Sequence, residues 1–186
     1  MFYGREAHDS VGDRRKYTDE PYYFHSEGAA EILARLGADD EILAGMVLHD
    51  VPENVPGRTP DVLSKQFGVL VGGYVREVTN VYTRTAYPDL TRAERTALEA
   101  GRLANISEGG KLIKMGDVRE NVPTLMARDP KFALTYFREK RDLMERIRVP
   151  GSPMHEELYQ EIMGFIRSPL NKPTRVPAIR DTTLSQ

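Results

Sequence analysis

Leu48-His49-Asp50-Val51-Pro52-Glu53-Asn54 closes an apolar run with a histidine and an aspartate side by side. Upstream, Ile42, Leu43, Met46, Val47 and Asp50 recur at helical spacing and share one face, the periodicity of a buried stripe. The stripe therefore ends on a carboxylate where another Leu or Ile belongs. A buried carboxylate without a partner is so unfavourable that it must be neutralised, hydrogen-bonded or bound to a cation. A metal ion meets that demand, and His49 is a second suitable ligand. Asp39 or Asp40 caps this helix, and Pro52, which lacks an amide, breaks or kinks the chain behind it.

The helix ahead begins near Phe24 or His25. His25, Ala29, Ile32, Leu33 and Leu36 follow an i, i+4, i+7, i+8, i+11 pattern, and Gly37 supplies the stop. His25 thus heads one apolar face as Asp50 ends the next. Before it, Asp13-Arg14-Arg15-Lys16-Tyr17-Thr18-Asp19-Glu20-Pro21 is charged and aperiodic and reads as a loop. Residues 1–12 predict a short helix carrying Phe2 and His8.

Downstream, Thr59-Pro60 opens a helix with a cap and a proline in its first turn. Val62, Leu63, Phe67, Leu70, Val71, Tyr74, Val75 and Val78 predict one broad apolar face, with Gly68 dividing two helices. Asn80 to Pro88 is a turn-rich connection, and Thr91-Arg92-Ala93-Glu94 is a capping box for a helix to about Leu103. Ser107-Glu108-Gly109-Gly110 reads as another turn. Behind it Ile113, Asp117 and Asn121, at i, i+4 and i+8, face one way, which puts a second carboxylate in an apolar stripe. Asp129-Pro130 and Ser152-Pro153 start two more helices. The first buries Phe132, Tyr136, Leu143 and Ile147; the second buries Leu158, Ile162 and Phe165. From Arg167 the period is lost among prolines, so residues 169–186 read as a loose tail behind one domain at 1–168. With no repeat and no strand pair, the reading is all-α.

A chain of 186 residues holds one domain with a sizeable core. Its net charge of −2 gives no global attraction to nucleic acid or anionic membrane. The absence of cysteine excludes disulfides, zinc-thiolate sites and cysteine nucleophiles, and suits a reducing cytoplasm. The first eight residues are too polar for a signal peptide. The most apolar stretch, 67–75, contains three glycines and falls far short of the roughly 20 residues of a membrane span.

His25, the His49-Asp50 pair and Asp117 place metal-competent groups on the inner faces of three helices. Two imidazoles and two carboxylates suit a divalent Mn, Fe or Zn. A lone core histidine or capping aspartate is unremarkable; four such residues in core-facing slots are harder to explain singly. They resemble the H…HD…D pattern of the HD-domain metal-dependent phosphohydrolases, an all-α bundle with its metal between helices. The likeness narrows to the RelA/SpoT-type (p)ppGpp hydrolase domain, in particular its stand-alone members. It is carried by Arg14-Arg15-Lys16 with Glu20-Pro21-Tyr22 and His25; by Leu48-His49-Asp50-Val51 with Glu53; by Phe67-Gly68; and by Lys111-Leu112-Ile113-Lys114-Met115-Gly116-Asp117 with Asn121. A weaker match continues at Tyr136-Phe137.

The resemblance implies one divalent ion, usually Mn in this family, on His25, His49, Asp50 and Asp117, and a small nucleotide substrate cleaved at its 3′ diphosphate. It implies Glu53 as the group that orients or deprotonates the attacking water. It implies contacts from Arg15 and Lys16 to base and phosphates, and from Asn121 to the sugar or to a metal ligand, with Tyr136 also at the substrate. Arg14 reads equally well as a solvated charge; Lys111 and Lys114 are expected to project outward, and His8 and His155 to be structural. One departure stands out. The family shows a Glu-Asp pair where this chain has Glu53-Asn54, and an amide cannot take a proton at neutral pH. That leaves one carboxylate where two cooperate, which opens two other readings: a hydrolase of another nucleotide or of the NADPH phosphate, or a metal- and nucleotide-binding protein with weakened catalysis. Gly116 and Arg119 depart in lesser ways.

Overall fold

The computed structural model describes residues 2–170, which form ten helical segments. In chain order these are α1 (Phe2–Ser10), α2 (Tyr23–Arg35), α3 (Asp40–Leu48), α4 (Val51–Asn54) and α5 (Pro60–Phe67). They continue with α6 (Val69–Val78), α7 (Arg92–Leu103), α8 (Glu108–Arg128), α9 (Pro130–Ile147) and α10 (Pro153–Leu170). Among the described residues the only extended pairing is an isolated bridge between Arg14 and Pro21, so the all-α reading holds. The expected tail lies outside the described residues from 171 onward, and α10 runs three residues beyond Arg167.

The helix starts follow the cap chemistry of the sequence. Asp39, Thr59, Ser107 and Asp129 each accept a hydrogen bond from the backbone N–H three residues on, and Thr91-Glu94 forms a full capping box. Helix α8 is the axis of the bundle and packs against α2, α3, α6, α9 and α10. Its buried Leu112, Ile113, Met115 and Val118 meet Leu33, Met46, Phe137, Met144 and Ile162 in the main core. A second apolar cluster joins Ala7, Leu48, Val51, Val55, Leu63, Val71 and Val75. Met46 and Val47 belong to the first cluster, Leu48 and Val51 to the second. The His49-Asp50 corner is therefore anchored between two cores.

Three local expectations need correction. The chain leaves α3 at His49-Asp50, not at Pro52, which sits in the first turn of α4 where its missing amide would have no helical partner. Ser107 to Gly110 is no turn: Ser107 caps α8, and a side chain at Gly109 would strike the Tyr74 ring, so glycine there permits close approach of α6. The apolar face of α5 and α6 is also narrower than read, since Leu63, Val71, Val75 and Val78 are buried while Val62 and Leu70 are exposed.

Neighbouring glycines in α6 give a test of this packing. A Cβ on Gly72 would come within 2.5 Å of the Ser64 Cα, whereas one on Gly73 would meet nothing within 4 Å. Gly72→Ala should destabilise the protein by about 1–3 kcal/mol through overpacking. Gly73→Ala should stabilise it by up to about 1 kcal/mol through helix propensity. Thermal unfolding checks the opposite signs.

Candidate metal centre

The bundle brings the three polar interruptions of its apolar faces to one place: His25 from α2, His49 and Asp50 from the α3–α4 corner, and Asp117 from α8. One ligand atom each from His25, His49 and Asp117 lies within 4.8 Å of the others. His49 Nε2 stands 2.9 Å from Asp50 Oδ2, and His25 Nε2 lies 3.6 Å from that oxygen and 3.4 Å from Asp117 Oδ1.

The protons on the two rings are set from behind. His49 Nδ1 lies 2.7 Å from the Met46 carbonyl oxygen, which can only accept, so Nδ1 carries the hydrogen. His25 Nδ1 faces Glu120 Oε2 at 2.5 Å with the same consequence. Both Nε2 atoms are buried and make no hydrogen bond among the described residues. In the neutral rings each Nε2 lone pair would then confront carboxylate oxygen, a repulsive arrangement that a cation among them reverses. The titration of His25 reflects the same demand for positive charge. Burial disfavours its imidazolium, yet the nearby Asp117 carboxylate and the bond to Glu120 outweigh burial and raise it to about 10. Burial likewise pushes Asp117 upward, and Lys114 and His25 more than reverse that, holding it ionised. Two imidazole nitrogens and two carboxylates, each ring oriented by its far nitrogen, fit a divalent ion.

Lys114 does not project outward as expected. It is buried, and its Nζ donates to Asp117 Oδ2 at 2.7 Å. Three residues before Asp117 on α8, it turns toward the carboxylate because a buried acid needs a nearby cation. Asn121 donates to Asp117 Oδ1 at 2.7 Å, which ties it to a metal-competent carboxylate. Glu120 was not singled out in the sequence. Besides orienting His25, it receives two hydrogen bonds from Arg15, at 2.5 and 2.9 Å. Its position three residues after Asp117 was the available signal, since i and i+3 share a helix face. Tyr22, noted only as part of the motif, donates its hydroxyl proton to Asp50 Oδ2 at 2.6 Å.

The remaining candidates surround this floor. Arg15 is largely buried against Glu120, Lys16 is exposed over the Tyr17 ring, and Arg14 reaches back to the Asp19 carbonyl oxygen at 2.8 Å to pin its own turn. A cavity of about 300 Å³ is lined by Arg15, Lys16, Tyr22, His25, Asn121 and Tyr136. A second, of about 600 Å³, is lined by Arg84, Arg95, Lys114, Tyr136, Glu139 and Lys140, so Tyr136 forms part of both walls. Glu53 lies at the exposed end of α4, where its carboxylate accepts from the Asn80 backbone N–H at 2.8 Å and side-chain amide at 2.9 Å. Asn54 turns to the loop instead and donates to Asp13 Oδ2 at 2.8 Å. His8 and His155 are buried, bonded to Asp13 and to Ser152 with the Glu108 carbonyl, consistent with structural roles.

An all-helical bundle that gathers His, His-Asp and Asp around one centre defines a class of divalent-metal proteins. A family model described as HD domain matches residues 3–108, and the chain belongs to the HD-domain family. It is 34% identical over 132 residues to guanosine-3′,5′-bis(diphosphate) 3′-pyrophosphohydrolase MESH1 of Drosophila melanogaster, covering 69% of this chain and 68% of that protein. It is 28% identical over 123 residues to the guanosine-3′,5′-bis(diphosphate) 3′-pyrophosphohydrolase of Aquifex aeolicus, of whose length it spans 16%. The solved structure of a metazoan SpoT ortholog that hydrolyses ppGpp superposes with a TM-score of 0.72 at 27% identity, over 88% of this chain and 90% of that one. The RelA/SpoT-type resemblance read from the motifs stands. No described helix is long and apolar enough to cross a membrane.

Glu120 provides a test of the centre from outside the ligand set. Glu120→Ala should weaken Mn²⁺ affinity by about 10–100-fold, the usual effect of removing the partner that orients a ligating histidine. Glu120→Gln, whose amide oxygen can still accept from His25 Nδ1, should lose less. Calorimetric titration of the metal-free protein checks both, and unchanged affinity in Glu120→Ala would contradict the assignment.

Proposed function

We propose that this protein is a Mn²⁺-dependent (p)ppGpp 3′-pyrophosphohydrolase, releasing pyrophosphate from the ribose 3′ position. The observation that carries the reading is the convergence of two buried, unpartnered Nε2 atoms on two carboxylates, beside a cavity walled by cations. His25, His49, Asp50 and Asp117 would hold the ion, which when bound supplies Lewis acidity at a phosphoryl oxygen and a more acidic water. Glu53 is the proton acceptor for the attacking water: its ionised oxygens keep lone pairs beyond those engaged by Asn80.

The two cavities divide the substrate. The smaller offers Lys16, Arg15 and the Tyr136 ring to the nucleoside, with a ring face for stacking. The larger receives phosphates. Lys114 is already paired with Asp117, but Lys140 has no carboxylate partner among the described residues and lies 5.1 Å from the Tyr136 ring centre. A half-buried ammonium without a carboxylate partner is less favourable until an anion arrives, so Lys140 is suited to the negative charge of a polyphosphate. Lys140 does not belong to the motifs that carry the family resemblance.

Incubation with Mn²⁺ and ppGpp should yield GDP and pyrophosphate in equal amounts, resolved by anion-exchange chromatography. Metal-loaded protein that releases no pyrophosphate from ppGpp would overturn the reading. Glu53→Gln should keep its metal and lose about 10²–10⁴-fold in turnover, the usual worth of a general base.

Lys140 also predicts a pH dependence. Burial, reinforced by the Lys114 charge, brings it down to about 8, against the partial support of Asp117 and Glu139. It is cationic below that pH and neutral above, so kcat/KM, which reports the free enzyme, should lose the Lys140 contribution as pH rises through about 8. Lys140→Arg, charged throughout, should remove that inflection, and Lys140→Met should raise KM at pH 7. An inflection unchanged in Lys140→Arg would exclude this lysine as its source.

A further inference from the structure

Asn54 stands where the family carries a carboxylate, yet a carboxylate is one hydrogen bond away. Asp13 Oδ2 accepts from Asn54 Nδ2 at 2.8 Å and lies 2.9 Å from His8 Nδ1. An ionised carboxylate only accepts, so His8 Nδ1 carries its proton toward Asp13. The His8 ring is fully buried and rests against Tyr22, with ring centres 4.9 Å apart.

The backbone around Asp13 is fixed on both sides. Its N–H donates to the His8 carbonyl at 3.1 Å, and its carbonyl accepts from the Tyr22 N–H at 3.0 Å. Farther out, the Arg15 N–H donates to the Glu20 carbonyl at 2.9 Å. Asp13 and Tyr22 therefore form the closed neck of the loop that bears Arg15 and Lys16. Both neck residues grip the α3–α4 corner: Tyr22 holds Asp50 at 2.6 Å, and Asp13 holds Asn54. Helix α4 is four residues long and buries only Val51, so side-chain ties at its ends decide where Glu53 sits.

We propose that Asp13 is a positioning residue that supplies, from the loop, the carboxylate missing at position 54. Asp13 and Asn54 form one acid–amide pair that joins the nucleotide-facing loop to the helix carrying Glu53. Exchanging the two residues would put the acid on the helix and the amide on the loop and keep the same pair, whereas either single change breaks it. A second carboxylate at 54 would stand against Asp13 within hydrogen-bond distance, where like charges repel. Asn54→Asp alone is then harmful, although it restores the family residue. The proposal rests on the hydrolase reading for its kinetic consequences, but the pairing itself is measurable without turnover.

Asp13→Asn, Asn54→Asp and the exchange Asp13→Asn/Asn54→Asp should be compared by thermal unfolding, Mn²⁺ titration and ppGpp hydrolysis. Each single change should lower the melting temperature and reduce kcat by about 10–100-fold, as loss of an orienting partner does. The exchange should recover both to within a few-fold of the original, with KM little altered. Single-mutant effects that simply add in the exchange would overturn the pairing. Recovery of stability without recovery of kcat would make the pair merely structural and overturn the positioning role. If the original chain releases no pyrophosphate, the hydrolase reading fails. Mn²⁺ affinity then decides: loss in the singles with recovery in the exchange supports positioning, and affinity unchanged throughout overturns it.

Discussion

Two imidazole rings with their far nitrogens committed are the constraint on which this structure depends. Met46 and Glu120 take the Nδ1 protons of His49 and His25, leaving both Nε2 atoms buried beside Asp50 and Asp117. Without positive charge at that point, four donors would repel one another inside a helical core. Lys114 offsets one carboxylate from the α8 side, and a Tyr22 hydrogen bond reaches the other. The two apolar clusters on either side of the α3–α4 corner hold it there, so packing maintains an arrangement that electrostatics alone would disperse.

The floor and the walls are mechanically linked. Glu120 joins His25 to Arg15, and Asp117 joins His25 to Lys114 and Asn121. Groups that line the cavities are thus one bond removed from groups suited to the metal. Arg15, expected to contact base and phosphates, is held by Glu120, which makes it a fixed part of the cavity wall.

Much of this was legible in the sequence because helical periodicity reports which way a side chain faces. His25, Asp50 and Asp117 each broke an apolar stripe, and a polar residue in a core slot must have a partner. The caps at Asp39, Thr59, Thr91, Ser107 and Asp129 follow from local chemistry as well, although the glycines after Ser107 disguised a helix start as a turn. Partner identity was not legible. Lys140 lies on a helix rich in charge, where nothing local distinguishes a half-buried group from a solvated one, and the i+3 relation to Asp117 is the one local signal for Glu120. A lysine in a charged segment is ordinarily exposed, and only the tertiary position of Asp117 draws Lys114 in. Asn54 looked like a lost carboxylate for the same reason, since Asp13 lies 41 positions away in the chain.

Metal content per chain tests the central claim most directly. Protein stripped by chelation, reloaded with Mn²⁺ and freed of excess ion should retain about one ion per chain, as a single centre requires. His49→Ala and Asp117→Ala, folded as judged by circular dichroism, should retain essentially none. Equal metal content in the original chain and both folded variants would contradict the account.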